Sequence, residues 1–133
     1  MAINSPYRTS SDLVLQALAN AGVLAVGQNV DVEDFATVNN LLDSIFRKLA
    51  GLEIVFVADP NNIPGAWFSD LADIVAGECA SALGISGAEY GTLVNKGLGG
   101  IGNVEIGAGT AAKSLKIMGR GKPTYEPLRI LNY

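Results

Sequence analysis

Histidine is missing from this chain of 133 residues, and with it go the usual general base, the commonest zinc ligand and every Ser-His or Cys-His nucleophile arrangement. Most hydrolase mechanisms are thereby disfavoured. One cysteine, Cys79, cannot bridge within the chain, so no disulfide framework is expected and synthesis in a reducing cytosol is the natural reading. Long apolar runs are missing too. The most apolar stretch, Leu13–Val26, covers about fourteen residues, is interrupted by Gln16, Asn20 and Gly22, and falls short of the roughly 20 that span a bilayer. The opening MAINSPYRTSSD has no basic segment leading into an apolar one, so neither a leader nor a membrane anchor is expected.

Positive charge is scarce over most of the chain. Residues 1–112 hold four basic residues against twelve acidic ones, a net charge of −8, whereas residues 113–133 hold five basic residues (Lys113, Lys116, Arg120, Lys122, Arg129) and one acid, Glu126, a net of +4. The body therefore lacks the cations that drive phosphate binding, and duplex DNA is not its expected ligand. The segment Gly119–Tyr133 (GRGKPTYEPLRILNY) has two prolines and two glycines, which makes it a poor helix. Its Tyr125, Leu128, Ile130, Leu131 and Tyr133 are more apolar than a solvating tail needs, so it reads as an extended ligand for another surface. Fully extended from Gly121, it would reach about 40 Å.

What is present is helical periodicity. Ser10, Ser11 and Asp12 supply capping groups ahead of Leu13, Ala17, Leu18 and Ala21, and a first helix is expected to end at Gly22. After a connector over Val23–Val30, Asp31 caps a second helix, with Glu33 and Asp34 in its acid-favouring first turn. Phe35, Val38, Leu41, Leu42, Ile45, Phe46 and Leu49 form its apolar stripe, Arg47 and Lys48 lie in its last turn, and Gly51 is the expected stop. Glu53–Val57 reads as a short strand or extended excursion, followed by a turn at Asp59–Asn62. A third helix is expected from Ala66 or Ser69, with Trp67, Leu71, Ile74, Val75, Cys79, Ala82 and Leu83 on one side and a stop at Gly84. Ser86-Gly87-Ala88-Glu89 fits a capping box for a fourth. Eleven of the sixteen glycines lie between Gly84 and Gly121, so Gly97–Gly109 should be broken, looped or held by neighbours. Helix then resumes over Ala111–Met118. The fold expected is mainly α: a small up-down helical bundle of three to four helices over residues 10–118, with a short extended excursion, an N-terminal lead over 1–9 and a long C-terminal arm over 119–133.

Each chemical motif has a plainer alternative. Gly97-Leu98-Gly99-Gly100-Ile101-Gly102 satisfies G-x-G-x-x-G, but a helix precedes it and no acid follows at the required distance, so a loop or a close helix contact is favoured over nucleotide binding. Gly107–Ser114 approaches a phosphate loop, yet Ala112 stands where the second glycine belongs. Asp31, Glu33 and Asp34 read as helix-terminal acids before they read as cation ligands. Asp12, Asp70, Asp73, Glu78 and Glu89 form no convincing general acid/base pair, and Cys79 on an apolar stripe reads as an inert core thiol. Trp67 is read as a core anchor over a subunit contact. No catalytic residue, cofactor or metal is expected.

The order of these features (DLVLQALANA at Asp12–Ala21, GVLAVG at Gly22–Gly27, the Asp31–Leu49 helix, an excursion ending in Ile63-Pro64, then a helix from Trp67-Phe68 to Leu83-Gly84) resembles the head-to-tail adaptor proteins of tailed bacteriophages. The nearest branch is the tail accessory factor, or packaged-DNA stabilisation protein, of short-tailed phages. The resemblance covers roughly Ser10–Tyr90; Gly97–Gly109 departs from it, since relatives have a more regular long helix there. It implies a structural, non-enzymatic virion protein at the head-tail interface, made in the host cytoplasm. It also implies a homo-oligomeric ring of about twelve copies beneath the portal protein. The ring would receive a tail or nozzle protein, and packaged DNA would pass through its channel without sequence-specific binding. In that family the C-terminal arm docks on the portal, which puts Arg120, Lys122, Tyr125, Leu128, Arg129, Ile130 and Tyr133 in the role of portal-binding residues. The alternative from the residues alone is a stand-alone helical protein-binding module, and a carboxylate-dependent hydrolase ranks last.

Overall fold

A computed structural model of the chain describes residues 7–24 and 28–120, with the backbone alone described for Tyr7, Gly119 and Arg120. Among these residues the fold is mainly α, a small helical bundle. Its helices are α1 (Ser10–Asn20), α2 (Val32–Gly51), α3 (Gly65–Cys79), α4 (Gly87–Lys96) and α5 (Thr110–Arg120). The four helices read from periodicity and the one expected to resume over Ala111–Met118 make five among the described residues.

The N-terminal signals act one residue away from where composition put them. Thr9, not Ser10 or Ser11, caps α1: its Oγ1 accepts from the Asp12 amide at 3.2 Å while Asp12 Oδ2 accepts from the Thr9 amide at 3.3 Å. This is a reciprocal capping box that satisfies two amide donors at once. Asp31 caps α2 as expected, accepting from the Glu33 amide at 2.8 Å. At Ser86 the backbone is extended and α4 starts on cue, but its hydroxyl makes no capping bond, so the capping box expected over Ser86–Glu89 does not form. The two hydroxyls should therefore differ under substitution. Thr9→Ala is expected to cost about 1 kcal/mol and Ser86→Ala close to nothing, as read from urea unfolding midpoints.

Helix ends also differ from expectation. Gly51 remains inside α2, and the chain turns at Glu53, whose φ of 59° is left-handed without being glycine. Helix α3 closes at Cys79, so Ala82 and Leu83 belong to the following turn, which Gly84 completes with φ of 85°. Helix α5 runs two residues beyond Met118, placing the backbone of Gly119 and Arg120 in the helix and not in the arm.

The excursion forms no strand over Val55–Val57. Instead β1 (Tyr7–Arg8) and β2 (Ile63–Pro64) form an antiparallel ribbon, with Tyr7 opposite Pro64 and Arg8 opposite Ile63. The end of the lead thus belongs to the fold. Ser10 Oγ donates to Asn61 Oδ1 at 3.0 Å, and the Arg8 guanidinium lies 4.5 Å from the centre of the Phe68 ring, within cation-π range.

Helix α3 is the axis of the bundle: α1, α2, α4 and α5 all pack against it. Phe68, Leu71, Ala72, Ile74, Val75, Ala76, Gly77 and Cys79 are buried, a set that takes in most of the helix circumference. Its small residues set how closely its neighbours come. A Cβ on Gly77 would stand 2.8 Å from the Leu93 carbonyl oxygen of α4, so α4 lies against bare backbone at that point.

Candidate interaction surface

Charge placement is the feature of this surface that sets the C-terminal side apart. The described cations before residue 100 are each engaged within the chain. Arg47 pairs with Asp43 at 3.0 Å, Lys48 with Glu78 at 2.8 Å, Lys96 approaches Asp73 at 4.0 Å and Arg8 stacks on Phe68. Lys113 and Lys116 on α5 make no such pair among the described residues. The acids Asp31, Glu33 and Asp34 at the start of α2 have no cationic partner among the described residues either; they serve the amides and dipole of their own helix.

Large apolar side chains also reach solvent, and most of them were not singled out by the sequence pattern. Val32 is 80% exposed, Phe56 70%, Ile117 67% and Ile106 58%. Helical phase could have found two of them. Val32 falls off the stripe of Phe35, Val38 and Leu42, and Ile117 falls off that of Ala111, Ala112, Leu115 and Met118. Phe56 overhangs a shallow hollow of about 230 Å³ between α2 and the excursion, lined by Phe46, Val57 and Pro60 with the Asp43–Arg47 pair at its edge.

The glycine-rich segment is a packed structural loop. Its amides are spent on the protein itself: Gly99 donates to the Val94 carbonyl at 2.8 Å, Gly100 to Val104 at 2.8 Å, Gly107 and Gly109 to Leu98 at 2.8 and 3.1 Å, and Ala112 to Gly97 at 3.1 Å. Asn95 clamps the near side, its Oδ1 accepting from the Ile101 amide and its Nδ2 donating to the Ile101 carbonyl, both at 3.2 Å. A phosphate cradle needs converging free amides, and these are turned onto neighbouring carbonyls.

The remaining candidates separate in the same way. Cys79 is fully buried, and burial, followed by the charge of Glu78, pushes its thiol up to about 11, the opposite of nucleophile activation. Trp67 is partly buried against the core. Asp12 is committed to the Thr9 cap. No group of three or more potential metal ligands occurs among the described residues, and no described helix is long and apolar enough to cross a membrane.

Asp73 is the acid with a perturbed environment. Burial raises its pKa above the ordinary carboxylate value, Lys96 opposes the shift and Asp70 adds to it. Asn20 Nδ2 donates to its Oδ1 at 3.1 Å, so the carboxyl ties α1 to α3. Because the folded pKa is raised, this group favours the fold most when protonated, and that contribution is lost as pH rises from the unfolded value through the folded one. Asp73→Asn keeps an acceptor oxygen for Asn20 without the buried charge. It should raise the urea midpoint at pH 7, and the gain should shrink as pH falls toward about 4; an equal gain at pH 7 and at about 4 would count against it.

Of the portal-arm residues, Arg120 contributes the last backbone turn of α5, and Lys122, Tyr125, Leu128, Arg129, Ile130 and Tyr133 lie outside the described residues. Comparison with protein-family models, curated proteins and solved structures finds no match for this chain.

Proposed function

We propose that this chain is a structural adaptor of the head-tail junction of a tailed bacteriophage, assembling as a ring beneath the portal and docking through its basic C-terminal segment. The observation that carries this reading is the charge division: an acidic body whose early cations are engaged internally, and a C-terminal stretch, residues 113–133, that holds five of the nine basic residues and one acid. The order of the helices, the resemblance drawn from it and the apolar side chains exposed on the body support the same reading. An acidic body around a channel would repel DNA phosphates and let packaged DNA slide. In the arm, Arg120, Lys122 and Arg129 would pair with portal acids, while Tyr125, Leu128, Ile130 and Tyr133 would fill apolar pockets or add an edge strand.

The test is removal of residues 121–133, which leaves α5 whole. The shortened chain should keep its helical circular dichroism and lose capture by the cognate portal by roughly a hundredfold, in line with loss of several interface anchors. Undiminished capture would refute the arm's role. Exposed Phe56 beside its hollow favours a second reading, a stand-alone protein-binding module; a chain that remains monomeric with and without portal would favour that reading instead.

A further inference from the structure

We infer that the exposed face of α5 built by Lys113, Lys116 and Ile117 docks on the start of α2 in a second copy of this chain, where Val32 stands beside Glu33 and Asp34. The inference rests on the ring reading and names the surfaces that would join neighbouring subunits. Lys113, Lys116 and Ile117 lie three and four residues apart on one helix, so they share a surface. Ile117 is 67% exposed, and the two ammonium groups have no acidic partner among the described residues. The start of α2 has the opposite sign, with Val32, Glu33 and Asp34 consecutive around its first turn. Val32 is 80% exposed, and its adjoining acids have no cationic partner among the described residues. An apolar centre with a charged margin is the form in which charge steers an encounter while apolar contact is buried.

Charge sign selects the occupant. The basic C-terminal segment would be repelled by Lys113 and Lys116. The hollow under Phe56 is edged by an Asp43–Arg47 pair already neutralised, so it offers no complementary charge. The α2 start offers both the apolar contact and the acids. Its position also suits a ring: α2 and α5 each pack on α3 and share no substantial packing with one another. The two surfaces therefore occupy separate parts of the subunit, and their union is head-to-tail, the heterologous kind of contact from which closed rings are built.

Two charge-reversed full-length chains test the pairing by sedimentation velocity over a range of concentration and salt. Glu33→Lys/Asp34→Lys makes both surfaces basic, and Lys113→Glu/Lys116→Glu makes both acidic. The unaltered chain should self-associate, each reversed chain alone should do so at least about tenfold more weakly, and an equimolar mixture should recover association. Val32→Ser and Ile117→Ser, which leave charge unchanged, should each weaken association of the unaltered background. Melting by circular dichroism establishes that every variant is folded. If the reversed chains associate like the unaltered one, or if the mixture fails to recover, this surface is overturned while the portal-capture result still decides the adaptor reading. An unaltered chain that stays monomeric throughout overturns the inference as well.

Discussion

Gly109→Ala should lower stability by about 3 kcal/mol or more, at or beyond the upper end of what overpacking usually costs, because nothing at the contact can yield. The Gly109 amide donates to the Leu98 carbonyl at 3.1 Å, which draws the start of α5 onto the end of α4. A Cβ there would fall on the Gly97 carbonyl oxygen and within 2.6 Å of the Gly99 nitrogen and the Leu98 carbonyl carbon. All three are backbone atoms, so no rotamer change relieves the contact. They are also fixed from behind. Gly97 O accepts from Ala112, and Gly97 itself abuts α3 so closely that its own Cβ would stand 2.7 Å from the Asp73 carbonyl oxygen and 2.8 Å from the Ile74 Cα. Relief at Gly109 must therefore move α5, the loop or α3. Gly51→Ala is the matched control: Gly51 is helical, has no positive φ, and nothing lies within 4 Å of the added methyl. It should stabilise by about 0.5–1 kcal/mol, since alanine has less chain freedom to lose. Urea unfolding of the two variants checks both signs, and equal small effects would refute the steric account.

The same loop shows where sequence is legible and where it is not. Dense glycine announced that Gly97–Gly109 would interrupt helix, because a residue without a side chain gains least from helical order. Its identity as a backbone knot was not announced, because close approach depends on which carbonyl arrives from across the bundle. Amphipathic spacing identified α2 and its core residues Val38, Leu42, Ile45, Phe46 and Leu49, all buried as expected. In α3 the same reasoning assigned one apolar side, yet Ala72, Ala76 and Gly77 are buried as well. Small residues carry little hydropathy, so a helix wrapped by neighbours looks half-exposed in sequence. Caps failed in a comparable way: Ser-x-x-Glu at Ser86 has the composition of a capping box without its bonds, while Thr9-x-x-Asp12 has them. On the surface, charge division was fully legible from composition. The exposed Val32 and Ile117 were recoverable from helical phase, whereas Phe56 depended on how the excursion crosses α2.

Leu71→Ala should cost about 3–5 kcal/mol, the upper part of the range for leucine truncation. What decides the cost of such a change is how far the surroundings can close over the lost atoms. Leu71 is fully buried on α3, and the neighbouring α3 positions Phe68, Ala72, Ile74 and Val75 are buried with it. Four helices converge on α3, so inward movement by one of them must be accommodated by the others. The space left is expected to persist, and persistence is what raises the cost. Leu52→Ala removes the same atoms from a side chain already 41% exposed just beyond α2, so it should cost under about 1 kcal/mol. Both variants should keep the unaltered denaturant slope, since that slope follows the surface exposed on unfolding. Comparable losses at Leu71 and Leu52 would mean that α3 is not the axis on which the bundle closes. The interaction surfaces would then lack a common rigid support, because α2 and α5 are held in position through their separate contacts with that helix.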